Sequence, residues 1–420
     1  MLSLENSDNR SVREKNRSQI LQAIKMQEAI SRIELAGQID LNPSTISRAV
    51  NDLEEMNLIQ EREVGESSGG RRPVLLGINK SAYQIIGVDI GATKIIAVIT
   101  NIQGEILEKY HYRIDYPQGD VVDISPELVL ECLERVLKKY QRNINKSTVT
   151  DKIIGIGVGA HGLVDKDRGR VIFAPNFGWR DIYLQKKIKE KFGYKTIIDN
   201  DVRVMALGEY WFGYGQNCDC LICVNAGYGI GSGIILNGRL FRGHRSLAGE
   251  IGHTTVAEDG PRCNCGDYGC LETVASGPAI AKMARTRIKR GRESRITQMV
   301  DDINISRITS ELVFQAARQG DDLSRQVLEE AGSYLGIGIA NLINIMDPQL
   351  VLVGGGVSRA GDFVFASLRQ AVSRKTMEDP PPISPVKLGE KTGAIGSTVL
   401  ILEELFKAPE SFLSEELHRF

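Results

Sequence analysis

The chain has 420 residues, is 42% hydrophobic and 25% charged, and carries a formal net charge of −1. That length exceeds what one compact core supports, so two or three domains are expected. The near-neutral balance excludes nucleic-acid or membrane binding driven by bulk charge alone. The first residues, MLSLENSDNRSVREKN, lack the apolar core of a secretory signal. No run approaches the roughly eighteen apolar residues needed to span a bilayer. Seven cysteines, an odd number with three in a metal-type cluster, fit a reducing cytoplasm better than a disulfide framework.

Residues 1–80 have a texture of their own. Ile20, Leu21 and Ile24 recur at helical spacing, the short segment SRIELAGQI follows, and Asp40-Leu41-Asn42-Pro43 breaks it. Pro43 suits the first turn of a new helix, with Asn42 as its cap. That helix, PSTISRAVNDLEEMNLI, buries Ile46, Val50 and Leu53 and presents Ser44, Thr45, Ser47 and Arg48 on its other face. Three short helices so arranged form a helix-turn-helix, whose third helix enters the major groove. The segment QEREVGESSGGRRPVLLGIN predicts a β-hairpin wing, with Arg71 and Arg72 near its tip in reach of a minor groove. Residues 1–82 hold eleven Lys or Arg against twelve Asp or Glu, so placement rather than net charge argues for DNA.

From Tyr83 the pattern becomes α/β. IIGVDIGATKIIAVITNIQGEIL reads as two apolar strands around a glycine turn, then a third strand; LICVNAGYGIGSGIILNGRLF repeats the plan. Val88-Asp89-Ile90-Gly91 aligns with Val224-Asn225-Ala226-Gly227, which predicts two related lobes with a cleft between them. Cys218, Cys220 and Cys223 fall at the start of the second repeat and read as packing residues. Residues 278–346 read as mostly helical and QLVLVGGGVS as a strand with a glycine turn. The helix beginning near GAIGSTVLILEELF is expected to pack back on the first lobe. RIKRGRESR, over 287–295, reads as a solvated helix end and loop.

Between these elements lies EIGHTTVAEDGPRCNCGDYGCLE. His253, Cys263, Cys265 and Cys270 fall within eighteen residues, with Gly266 and Gly269 allowing a tight wrap. One imidazole and three thiolates fill a tetrahedral zinc shell, which predicts a structural rather than a catalytic metal. The zinc would pin a loop flanked by Glu250 and Glu272.

Together these pieces resemble the ROK family, a name covering repressors, open reading frames and sugar kinases. The resemblance runs over nearly the whole chain and is most specific at EIGH…CNCGDYGCLE; the leading helix-turn-helix with GGRRP resembles the repressor branch. It implies an α/β actin-like, two-lobed sugar-kinase (ribonuclease H-like) fold behind an α+β winged helix-turn-helix. The first lobe would span 81–200, joined by a C-terminal helix over 394–420, and the second 201–393 with the zinc loop. The resemblance assigns sugar binding to Asn176, Asn200, Asp201, Glu250, His253 and Glu272, with Asp201 as the base of any kinase reaction. Asp89, Gly91, Thr93 and Lys94 resemble the first phosphate-binding turn of an ATP/Mg2+ site. Gly227 and Gly229 fall in the second turn, and Gly354, Gly355 and Gly356 resemble the adenosine-side turn. Two positions depart from the kinase pattern: Ala92 replaces a glycine, and Tyr228 stands where family kinases usually have Thr.

The resemblance therefore implies a cytoplasmic, sugar-responsive transcriptional repressor of carbohydrate-utilisation genes, a homodimer or tetramer on operator DNA, with a small sugar between its lobes and no membrane partner. An ATP-dependent, glucokinase-like sugar kinase carrying a DNA head is the alternative, and a repressor answering to a protein partner is another.

Overall fold

No glycine or proline interrupts residues 2–27, and they form one helix, α1 (Leu2–Gln27), in the computed structural model. The described residues are 2–64, 74–114, 124–143, 153–300 and 302–417, so the wing tip with Arg71 and Arg72 lies outside them. At 26 residues, α1 is longer than the short helix its apolar spacing predicts; Ile20, Leu21 and Ile24, which set that spacing, are buried. β1 (Ile30–Ser31) leads into α2 (Arg32–Gln38), which Ser31 and Glu34 close with a reciprocal capping box. α3 (Pro43–Glu55) begins at Asn42, whose side chain accepts the Thr45 N–H at 2.8 Å. β2 (Ile59–Val64) and β3 (Val74–Ile78) pair antiparallel, with β1 on the other edge of β3. These elements form a helix-turn-helix with a wing.

The first lobe opens with an antiparallel meander, β4 (Gln84–Ile90), β5 (Lys94–Asn101) and β6 (Ile106–Arg113). After α4 (Pro126–Asn143), β7 (Ile153–Ala160) joins parallel to β4. A small sheet of β8 (Leu163–Asp165), β9 (Arg170–Ala174) and β10 (Trp179–Ile182) intervenes. α5 (Leu184–Phe192) then precedes β11 (Thr196–Asn200), which runs parallel to β7. α6 (Asp201–Phe212) follows without a gap.

The second lobe repeats the plan. Its meander is β12 (Cys220–Ala226), β13 (Ile230–Leu236) and β14 (Arg239–Phe241). A helical layer follows: α7 (Leu271–Ala275), α8 (Gly277–Lys289), α9 (Ile296–Met299), α10 (Ser310–Arg318) and α11 (Asp322–Met346). β15 (Leu350–Gly354) then pairs parallel to β12, and after α12 (Asp362–Lys375), β16 (Ile383–Pro385) pairs parallel to β15. The strand orders β11-β7-β4-β5-β6 and β14-β13-β12-β15-β16 are the same order: a meander with two parallel strands added beside its first strand. Cys220 and Cys223 are buried along β12, as packing residues would be.

The chain ends in two helices rather than the single one expected over 394–420. α13 (Thr392–Lys407) packs on β4, β7 and α6, and α14 (Pro409–Leu417) follows. The break falls at Ala408, because the residue before a proline is pushed out of helical geometry. No helix among the described residues is long and apolar enough to cross a membrane.

The head is not loosely tethered. One apolar core runs from Ile20, Leu21 and Ile24 of α1 through Leu207 of α6 to Leu402 of α13 and Phe412 of α14. Polar contacts reinforce the seam. Arg17, on α1, reaches Asp52 on α3 and Glu410 on α14, while Glu14 accepts from the Ser411 backbone N–H at 2.8 Å. Lys25 sits 3.2 Å above the ring of Trp211, near the end of α6. Burial pushes the Lys25 ammonium down to about 7, against the opposing pull of Glu403.

Candidate functional site

β7 and β11 run parallel, so the residues after both strands emerge at one sheet edge, where open α/β sheets place ligands. His161 follows β7, and Asn200 and Asp201 follow β11. Asn176 arrives from the turn Pro175–Phe177. Its amide nitrogen lies 2.9 Å from His161 Nε2, and His161 Nδ1 lies 3.3 Å from Asp201 Oδ2. From the other lobe Glu272, on α7, accepts the Ile230 N–H at 3.0 Å. A Cβ at Gly229 would stand 2.6 Å from Glu272 Oε2 and at an ordinary contact distance of 3.8 Å from the His161 ring, so this turn is where the second lobe approaches the first. Four sequence-selected positions, Asn176, Asn200, Asp201 and Glu272, thus converge on one cleft edge.

Asn200 is engaged within the protein at both ends of its amide. Its Oδ1 caps α6, accepting the Val202 and Arg203 N–H groups at 2.9 and 3.2 Å. Its Nδ2 donates to Gly162 O and to Asp201 Oδ1 at 3.0 and 2.9 Å. With both amide ends engaged, Asn200 orients Asp201. Beneath it, buried Asp199 accepts from Arg203 at 3.2 Å and from Arg242 at 2.8 Å, tying α6 to the loop after β14. Glu250 lies exposed beyond that loop, and among the described residues no side-chain contact joins it to Glu272.

Sequence reasoning missed His161. Nothing in AHGLVD marks its histidine; the signal would have been a titratable side chain ending a buried strand, β7.

His253, Cys263, Cys265 and Cys270 come together, their candidate ligand atoms all within 4.8 Å of one another. Cys263 Sγ lies 3.6 Å from His253 Nδ1, and Cys265 Sγ lies 3.6 Å from Cys270 Sγ. A tetrahedral zinc centre requires ligand atoms about 3.5–3.8 Å apart, so the donor set fits. Gly269, at φ +65°, is required for the wrap, since a Cβ there would fall 1.6 Å from Ala257 O. Cys270 is also the N-cap residue of α7, two residues before Glu272. The cluster could hold a metal.

The glycine turns are folded but self-occupied. The Gly91 N–H donates to Lys94 O at 3.0 Å and the Gly227 N–H to Gly229 O at 2.9 Å. Lys94 pairs at 3.5 Å with Glu390, which also binds Arg359, just after Gly354, Gly355 and Gly356. Thr93 and Tyr228 are exposed beside these turns. Burial, reinforced by Asp201, pushes the Asp89 carboxyl up to about 7, against Lys94 and His161.

This predicts a pH effect. Between the carboxyl's ordinary range and about 7, folded protein holds a proton on Asp89 that the unfolded chain releases, so stability falls as pH rises through that window. Asp89→Asn is expected to raise the melting temperature at pH 8 and to change it little at pH 4. A melting temperature lowered equally at both would refute this.

On the head, Ser44 and Arg48 are exposed on α3 and Thr45 and Ser47 half-buried, with Ser44 Oγ donating to Asn42 Oδ1 at 2.8 Å. The segment 287–295 is the end of α8 and the loop after it, where Arg287 pairs with Glu330.

Winged helix-turn-helix, duplicated actin-like lobes and cleft together define a sugar-kinase fold carrying a DNA-binding head. The chain belongs to the ROK family, whose model matches residues 85–404; a winged helix-turn-helix DNA-binding model matches residues 13–60. It is 33% identical over 399 residues to the xylose repressor of Caldicellulosiruptor bescii, covering 94% of this chain and 97% of that one. A ROK family transcriptional regulator, a homologue of the E. coli MLC protein, superposes with TM-score 0.80 at 28% identity, covering 97% of this chain and all of that one. A ROK family glucokinase from Streptomyces griseus, solved with glucose and AMPPNP, gives TM-score 0.65 at 33% identity, covering 76% and 98%.

Proposed function

We propose that this protein is a sugar-responsive transcriptional repressor of carbohydrate-utilisation genes. Its winged helix holds operator DNA, and a neutral sugar binds between the lobes. The observation that carries the reading is α6, which joins the two sites: Asp201 begins it, and Trp211 near its far end carries Lys25 of the head. Its twelve residues span about 18 Å. A sugar that changes how the lobes close on Asp201 shifts α6, and α1 moves with it. The effect on DNA can be no larger than the sugar's preference for one closure over the other.

Each site residue has a part. Ser44, Thr45, Ser47 and Arg48 meet base edges, and Arg71 and Arg72 meet phosphates or the minor groove. Asn176, Asp201 and Glu272 bind hydroxyls, Asn200 orients Asp201, and Glu250 and His253 close in from the outer loop. Zinc on His253, Cys263, Cys265 and Cys270 acts structurally, holding Glu272 in place. A homodimer in the cytoplasm presents two heads to a two-fold operator.

The kinase reading is the weaker one. Glu390 already neutralises Lys94 and Arg359 beside the glycine turns, and the Gly91 and Gly227 amides are engaged within their own turns. A kinase must instead offer cations and amides to phosphate. Selection of genomic fragments on the purified protein, followed by elution with a panel of sugars, tests the proposal. Two-fold sites released by one sugar are expected. No enrichment, together with sugar-dependent ADP formation abolished by Asp201→Asn, would establish the kinase instead.

A further inference from the structure

The sugar-cleft reading leaves one half-buried titratable group, His161, without a role. His161 is 22% exposed and fixed on three sides: Asp201 Oδ2 lies 3.3 Å from Nδ1, the Asn176 amide 2.9 Å from Nε2, and Phe177 meets its ring edge-on at 5.7 Å. Asp201 is 11% exposed, so this pair sits at a mouth with little competing water. The charged groups facing the imidazole are Asp201 of α6, Glu272 of α7 and Asp89 of β4. Burial alone would lower its pKa, but the Asp201 hydrogen bond and these charges carry it above the ordinary histidine value.

Resting on the sugar-cleft proposal, we infer that His161 is a positioning residue for ligand recognition, bracing Asp201 and Asn176 as a matched acceptor–donor pair for adjacent hydroxyls of a neutral sugar. A ring with both nitrogens bonded cannot turn, so it fixes the separation of the carboxylate and the amide. It also decides which amide end reaches the cleft. When Nε2 is unprotonated it accepts from the Asn176 NH2, leaving the carbonyl oxygen and one N–H for the ligand. When Nε2 is protonated it donates, and the Asn176 amide must turn to offer its oxygen. Ligand recognition is thereby coupled to one proton. His161 also keeps Asp201 engaged as a hydrogen-bond acceptor, which suits binding a hydroxyl rather than deprotonating it.

Calorimetric titration of the full-length protein with D-xylose, D-glucose and N-acetylglucosamine, across a pH series, tests this. The wild type is expected to bind one of them with a pH inflection that matches the His161 imidazole titration followed by NMR and that persists in Asp89→Asn. His161→Ala should weaken binding at least tenfold and flatten the profile. His161→Gln should flatten the profile with a smaller loss, and it serves if the Ala variant fails to melt cooperatively. Asp201→Asn should lower the His161 pKa. Wild-type affinity and pH profile in both His161 variants, or a His161 titration unmoved by Asp201→Asn, would overturn the role of His161 while leaving the sugar cleft intact. No binding of any of the three sugars by the wild type would bring down the sugar-cleft reading and this inference together.

Discussion

Arg17→Ala is expected to weaken operator binding by about 5- to 150-fold and to abolish its response to sugar, while leaving sugar affinity intact. Arg17 is buried at the seam where three helices meet. Its guanidinium spans Asp52 on the recognition helix α3 and Glu410 on α14, a fork that one ammonium cannot reproduce. Removing it leaves two carboxylates facing each other across a half-buried joint. Asp52 and Glu410 remain 27% and 45% exposed, so water recovers part of the loss, and about 1–3 kcal/mol is the expected cost. That range covers the roughly 1–3 kcal/mol typical of coupling between sites, so losing the joint can erase the sugar response. Arg17→Lys should recover only part of it. Fluorescence anisotropy of labelled operator, with and without saturating sugar, measures both effects. An Arg17→Ala protein that sugar still releases from DNA would show that the signal travels another way.

Metal removal is expected to act at the opposite end. Chelation, or Cys263→Ser, should lower sugar affinity tenfold or more before operator binding changes. The Cys/His cluster ends at Cys270, which starts α7, and Glu272 sits two residues on with its carboxylate on the Ile230 N–H. Freed from the cluster, the loop no longer fixes α7, and Glu272 loses its place across from His161. The head shares its apolar core with α6, α13 and α14 and has no residue in the metal loop, so operator binding should outlast sugar binding. Metal content by mass spectrometry, followed by calorimetry on the same sample, gives the answer. A metal-free protein with full sugar affinity would leave the cluster without this role.

The winged head was legible because its signals are local. Asn42 before Pro43 announces α3, and the spacing of Ile46, Val50 and Leu53 announces its buried face. The duplicated lobes were legible from the matched strand–glycine patterns at Val88 and Val224, and the strand orders agree. The Cys/His cluster was legible because few other combinations place four soft donors so close in sequence. Residue roles in the cleft were less so. Nothing in the sequence tells that the Asn200 oxygen caps α6 while its nitrogen binds Gly162 and Asp201.

Local chemistry therefore determined the class of each part: caps and periodicity made the head, repeated strand–turn patterns made the lobes, and donor spacing gathered the thiols. Only the tertiary structure decided what joins them. Arg17 lies 393 residues from Glu410, and His161 lies 40 from Asp201, separations at which sequence spacing carries no information. Their meeting depends on parallel strands ending at one edge and on a C-terminal helix pair returning to the first helix. Burial and charge act on whatever that packing brings together, so the seam and the histidine appear only in the folded chain.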